Sequence, residues 1–253
     1  METLFLSPLT IIIIASIVGF FMAYGIGAND VANAMGTSVG SKALTLKQAI
    51  IIAAIFEFLG AYFGGGEVTS TIRKGIVDPT IYEDANKFII GMLSSLLAAG
   101  TWLIIASRRG WPVSTTHSIV GAIIGFVSIS KGVSYVSWGT VGGIASSWVT
   151  SPVIAGLLAF LIYLSAKKSI LDSNNPGERA VKIIPIYSFY VAFIISLVIA
   201  RKGLKNMGLE LSDSDIYMFS SIFGIIAAAI TYTLLRQNFS KIKENGIESA
   251  FAI

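Results

Sequence analysis

The sequence predicts an all-α integral membrane protein of six to seven transmembrane helices, with a broken first helix and a helical hairpin. Two observations lead there. Only 13% of the 253 residues are charged and 54% are hydrophobic, whereas soluble domains carry about 25% charged residues; mean hydropathy is +0.78. The apolar residues also gather into successive runs long enough to cross a bilayer, beginning with Leu9 to Ala28. The absence of cysteine excludes disulfides and Cys-based metal sites. A net charge of +4 is scattered among the connections, with no basic patch and interleaved aromatics, so no nucleic-acid partner is expected. The start, Met1-Glu2-Thr3-Leu4, lacks a basic region and a small-residue cleavage site, so the first span is expected to be retained.

In chain order, the first span runs from about Leu4 to Ala28, then meets a glycine-rich break and a short helical piece to about Val39. Lys42 to Lys47 form a polar connection, and Leu46 to Phe63 is a second span ended by Gly64-Gly65-Gly66. Glu67 to Asn86 connects to a third span, Phe88 to Ala106, which Ser107-Arg108-Arg109-Gly110 stops. Trp111 to Val149 is expected to be the helical hairpin: an apolar helix to about Ile129, a turn at Lys131-Gly132, then the small-residue stretch Val141 to Val149. Ser151-Pro152 is expected to break it from the span Val153 to Ala166. Lys167 to Lys182 reads as a polar loop with a turn at Asn174-Asn175-Pro176-Gly177. Ile183 to Ala200 and Ile216 to Leu235 are the last spans, and a charged tail follows Arg236. The count is six, or seven if the first arm of the hairpin crosses. Lys and Arg occur in nearly every connection, so charge leaves the orientation open.

Residues 25–36 carry the first chemical signal. Gly25, Gly27 and Gly36 lower helix propensity, and Asn29 and Asn33 share a helix face with Asp30 beside them. Amide and carboxylate oxygens are hard ligands for a small cation, and an unwound break at membrane depth is found where backbone lines a cavity or ion site. The competing reading is an Asn/Asp-capped helix end in the headgroup region. Glu57 is the second signal: a carboxylate inside an apolar span costs about 2.5–3.5 kcal/mol to insert and faces an interior or a water-filled cavity. Its expected partner is a cation or the Asn29/Asp30/Asn33 group, against the alternative of a neutral Glu bonded to another helix.

The third signal is Pro112-Val113-Ser114-Thr115-Thr116-His117-Ser118, where three hydroxyl residues meet a helix start. A helix start favours anions, and Ser114, Thr115 and Thr116 add donors for a tetrahedral oxyanion; ordinary N-capping is the alternative. No Lys or Arg lies within the motif, so a multivalent anion needs co-bound cations. His117, the sole histidine, suits a structural hydrogen bond somewhat better than anion binding or titration near neutrality. In Glu67 to Gly75, Arg73 and Lys74 read as interfacial anchors before anion recruiters.

Gly27-Ala28-Asn29-Asp30-Val31-Ala32-Asn33-Ala34, the turn Ile72-Arg73-Lys74-Gly75 and Pro112-Val113-Ser114-Thr115-Thr116-His117 together resemble the inorganic phosphate transporter (PiT) family in order and spacing, over most of residues 15–165. The resemblance implies cation-coupled symport of inorganic phosphate, with sodium favoured over protons, no cofactor and no enzymatic activity. It implies that Asn29, Asp30, Asn33 and Glu57 hold sodium, and that Ser114, Thr115, Thr116 and Asn29 face phosphate. It further implies a membrane-lipid environment, expected to be the prokaryotic cell (inner) membrane. Family transporters carry two inverted copies of the signature and this sequence shows one. The chain therefore reads as half of an inverted-repeat transporter, with residues 1–166 as a first repeat and 167–253 as a loop, two further helices and a tail. Its partner is expected to be a C-terminal continuation or a second polypeptide, a homodimer included, and the chain alone is expected not to transport. Two readings from other classes remain beside this one. A membrane enzyme acting on a phosphorylated lipid would use Asn29-Asp30 to hold a divalent metal, although no second acid lies near Asp30; a passive anion channel would show no ion-coupled accumulation.

Overall fold

The computed structural model describes residues 7–203 and 211–239, with the side chains of 64, 66–74 and 202 outside the described set. Seven α-helices occupy the described residues: α1 (Pro8–Gly40), α2 (Leu46–Gly75), α3 (Ala85–Arg108), α4 (Thr115–Ser130), α5 (Trp138–Ala166), α6 (Pro176–Val198) and α7 (Asp213–Gln237). Six are long and apolar enough to cross a membrane, and α4 falls short. At about 1.5 Å per residue, its 16 residues reach roughly 24 Å against a hydrocarbon core of about 30 Å.

Four sequence expectations about breaks are corrected. Helix α1 runs unbroken for 33 residues through Gly25, Gly27 and Gly36. A glycine inside a helix costs about 1 kcal/mol, too little to unwind a ladder whose neighbours all remain bonded. Helix α2 likewise continues past Gly64-Gly65-Gly66 to Gly75. Pro152 lies inside α5 instead of ending it; only one backbone bond is lost there, and apolar surroundings favour keeping the rest. The expected loop after Ala166 is mostly helical: a π-helical turn over Lys167–Leu171 extends α5, and α6 already begins at Pro176. The hairpin appears as α4, a short 3-10 turn at Val133–Tyr135, and α5.

The chain forms two compact units. The first comprises residues 1–37 and 69–145, the second 38–68 and 146–253. Within the first, α3 and α4 pack through small and branched residues. Gly91, Ser95, Ala99, Leu103 and Ala106 line the buried face of α3, and Ile119, Val120, Ile123 and Val127 that of α4. A side chain at Gly91 would collide with the Phe126 ring. Ser95 donates to the carbonyls of Gly91 at 2.9 Å and Ala122 at 3.3 Å. Lipid is as apolar as leucine, so close packing and such bonds hold these helices together.

The segment before α3 is stitched onto the end of α4. Ile76 and Val77 are fully buried, the Ser137 amide donates to Ile76 O at 3.0 Å, and Tyr82 Oη shares a 2.6 Å hydrogen bond with Ser130 Oγ. Asp78 caps the turn Pro79–Ile81, accepting from the Thr80 amide at 2.9 Å and hydroxyl at 2.7 Å. Those bonds hold its carboxyl below the ordinary carboxylate range, the backbone one contributing most.

In the second unit, Thr45 and Gln48 form a reciprocal cap at the start of α2, with Thr45 N donating to Gln48 Oε1 at 2.9 Å and Gln48 N to Thr45 Oγ1 at 3.3 Å. Helices α6 and α7 meet where Gly224 lies under Phe189; a Cβ there would sit 2.8 Å from the ring. Thr231 donates to Ser188 at 3.1 Å across the same pair. Ile170, Ala180 and Leu235 form a buried cluster beneath the α5–α6 turn.

Candidate functional site

The first unit joins the Asn/Asp motif of α1 to the hydroxyl motif of α4. Met22, Gly25 and Asn29 form the buried stripe of α1, spaced three and four apart as one helix face requires. A Cβ at Gly25 would lie 3.2 Å from Leu103 Cβ and 3.3 Å from Gly100 O, and one at Gly100 would lie 3.2 Å from Met22 Cα. Two glycines thus let α1 and α3 approach closely, one turn before Asn29.

The approach brings Asn29 to the α3–α4 link. Asn29 is 5% exposed, and its Nδ2 donates to Trp111 O at 3.2 Å and to Ser107 Oγ at 3.4 Å. Asn33, exposed on the next turn, donates to Asn29 Oδ1 at 3.5 Å. The link has a defined shape because α3 ends in a Schellman motif: Trp111 N donates to Ala106 O at 2.9 Å and Gly110 N to Ser107 O at 3.1 Å. Gly110 takes φ +68, a conformation costing other residues about 1–2 kcal/mol. Outside the link, the Arg109 guanidinium sits 5.1 Å over the Trp111 ring, and Trp102 lies 6.2 Å from Trp111. An aromatic and cationic group of this kind suits the membrane–water boundary.

Pro112 and Val113 lead into Ser114, the N-cap of α4. Its hydroxyl accepts from the His117 amide at 3.2 Å, and its carbonyl accepts from the Ser118 hydroxyl at 2.8 Å. Ser114 therefore caps, and its own O–H hydrogen stays available to a second acceptor. Thr115 Oγ1 donates to Asp30 Oδ2 at 2.9 Å, joining the two motifs directly. With its hydrogen on Asp30, the Thr115 oxygen turns its remaining lone pairs toward whatever else approaches. Thr116 and His117 are exposed on the same first turn.

Not every anticipated residue joins this cluster. Glu57 lies in the second unit, exposed on α2, with no hydrogen bond or ion pair among the described residues. The side chains of Glu67, Arg73 and Lys74 lie outside the described residues. Sequence reasoning missed Ser107, the Trp111 carbonyl and the Gly25/Gly100 contact. Gly25 carried a usable signal, standing four residues before Asn29 on the same face. Among the described residues no three of His, Asp and Glu gather as a metal cage. The clustered oxygens are amide, hydroxyl and one carboxylate, hard donors with little charge.

Fold and site define a helical membrane protein whose hard-oxygen cluster sits where two spanning helices pack closely beside a hydroxyl-rich helix start. The chain belongs to the phosphate transporter family, whose model matches residues 26–251; that is a family of transporters, not of enzymes. It is 46% identical over 246 residues to a protein named a phosphate permease in Haemophilus influenzae, covering 95% of this chain and 59% of that one. It is 49% identical over 172 residues to the chloroplastic inorganic phosphate transporter 2-1 of Arabidopsis thaliana, covering 68% of this chain and 29% of that one. Among solved structures, a sodium-dependent phosphate transporter superposes with a TM-score of 0.86 at 37% identity, over 95% of this chain and 60% of that one. The chain thus spans less than two thirds of the length of these relatives.

Proposed function

We propose that the protein takes part in sodium-coupled symport of inorganic phosphate across a cell membrane. The observation that carries this is the 2.9 Å bond from Thr115 to Asp30, which links a cation-type oxygen cluster to an anion-type helix start within one unit. A multivalent anion leaving water loses a large solvation energy. A site without Lys or Arg recovers it through co-bound cations and oriented donors. The Asp30 carboxylate with the Asn29, Asn33 and Thr115 oxygens supplies the cation side. The Ser114 and Thr116 hydroxyls with the first-turn amides of α4 supply the anion side. Asn29 has its amide hydrogens on Trp111 O and Ser107. Its part on the phosphate side is therefore to hold the 111–116 link in place, while its oxygen serves the cation. Glu57 is assigned to the coupling-ion path because a carboxylate on an apolar helix is expensive to keep.

Support for sodium over protons comes from the name of the superposable relative. A buried dianion needs donors on all sides, and transporters of inverted-repeat build place substrate between their halves. We take the site to be completed by a second half, supplied by a C-terminal continuation or by another polypeptide, an identical copy in a homodimer included. On this reading residues 1–166 form the first repeat. Binding of labelled phosphate to the chain purified together with a C-terminal half from a family relative, in sodium and in potassium buffer, tests the proposal. Sodium-dependent binding that Asp30→Asn abolishes is expected; binding indifferent to both would refute it.

A further inference from the structure

The turn between α5 and α6 forms an open cleft of about 720 Å³ within the second unit, lined by none of the residues of the Asn29–Thr115 cluster. We propose that this cleft seats the phosphodiester headgroup of an anionic phospholipid. Lys168, Arg179 and Lys182 line it together with Asp172 and Glu178. Among the described residues the ion pair is Arg201 with Asp213, so none of the three cations in the cleft is directly paired with a carboxylate within it. One of the two carboxylates has a place in the fold of the turn. Glu178 stands in the first turn of α6, where a negative charge complements the helix dipole. Asp172 closes the π-helical turn through its backbone alone, the amide donating to Lys167 O at 2.9 Å. Three cations against two carboxylates leave a surplus of one positive charge, the match for a single phosphodiester.

The position selects a lipid over a free anion. The cleft lies where one spanning-capable stretch, Trp138–Leu171, ends and the next, Pro176–Arg201, begins, which is headgroup depth. On the adjoining end of that first stretch Tyr163, Leu164 and Leu171 are 56%, 42% and 42% exposed, an apolar flank for an acyl chain. The buried Ile170, Ala180 and Leu235 cluster holds the turn from below, so the cations sit on a fixed floor. Basic pockets between membrane helices bind anionic headgroups through this combination of charge and depth.

The test is native mass spectrometry of the full chain released from nanodiscs of phosphatidylcholine doped with phosphatidylglycerol of the same acyl chains. Wild type is expected to retain phosphatidylglycerol in preference to phosphatidylcholine. The variant Lys168→Gln, Arg179→Gln, Lys182→Gln is expected to lose that preference by about fivefold per charge removed. A control with Lys42, Lys47 and Lys87 changed to Gln, three exposed lysines elsewhere, is expected to keep it. Equal loss in both variants would overturn the site in favour of diffuse surface charge, as would a wild type without preference. Displacement of phosphatidylglycerol by millimolar inorganic phosphate would overturn the lipid assignment in favour of a free-anion site.

Discussion

Replacing Thr115 by Val removes its hydroxyl, and with it both the hydrogen bond that joins the two motifs and one oxygen of the cation side. Valine keeps the branched shape, so packing at the start of α4 is preserved, while the 2.9 Å donor to Asp30 disappears. A hydrogen bond to a charged group contributes about 1.5–3 kcal/mol. Asp30 is half-buried, so water makes good part of the loss and the lower end of that range applies. At about 1.4 kcal/mol per decade, this is about a tenfold loss. The expected outcome is a rise of about tenfold in the sodium concentration needed for half-maximal phosphate binding, with helical content and melting behaviour unchanged. Thr115→Ser restores the donor and is expected to return the curve to near wild type. Labelled-phosphate binding across a sodium series reads all three proteins, each paired with a C-terminal half from a family relative. A Thr115→Val curve that overlays wild type would refute the coupling role of this bond.

Asp30→Asn and Glu57→Gln are each expected to abolish sodium-dependent phosphate accumulation while leaving the protein folded; circular dichroism and uptake read the two properties separately. Gly25→Ala places a methyl 3.2 Å from Leu103 and 3.3 Å from Gly100 O. Overpacking of this kind costs about 1–3 kcal/mol, so a lowered melting temperature is expected, together with weaker phosphate binding as Asn29 is pushed off the link. Gly27→Ala meets nothing within 4 Å and is expected to be neutral or mildly stabilising in the same melt. Asp78 has its carboxyl depressed by the Thr80 amide and hydroxyl, so its contribution is complete above the ordinary carboxylate range and is lost as pH falls through the depressed folded value. Hydrogen exchange at the Thr80 amide is expected to quicken over that acidic window in wild type and to show no such step in Asp78→Ala.

The helical class, the spans and the helix start at the hydroxyl motif were legible because each rests on local chemistry. Apolar run length identifies a bilayer-crossing helix, and a run of hydroxyls after Pro112 identifies a helix start. The ends of elements were less legible. Gly25-Ile26-Gly27 and Gly64-Gly65-Gly66 read as breaks from propensity alone, yet both lie within continuous helices. In a soluble protein an unwound segment exchanges its bonds with water; in an apolar setting those bonds have no substitute, so the helix persists. Pro152 was misread for the same reason. Gly25 illustrates the other limit. It lets α1 approach Gly100; its spacing from Asn29 marked the face, but the partner, far away in sequence, was not readable from any local pattern. The role of Asn29 was half legible: a polar residue sharing a helix face with Asn33 was visible, but its partners, Ser107 Oγ and Trp111 O, depend on where the Schellman turn delivers the chain.

The central claim is that phosphate and sodium move together, and flux tests it more directly than binding. The measurement is uptake of labelled phosphate into proteoliposomes carrying this chain together with a C-terminal half from a family relative, under an inward sodium gradient and under matched potassium. Accumulation above the external concentration with sodium, collapse when an ionophore dissipates the gradient, and no accumulation by the Asp30→Asn variant are the predicted results. Uptake that ignores sodium, or that halts at equal concentrations on both sides, would contradict the account.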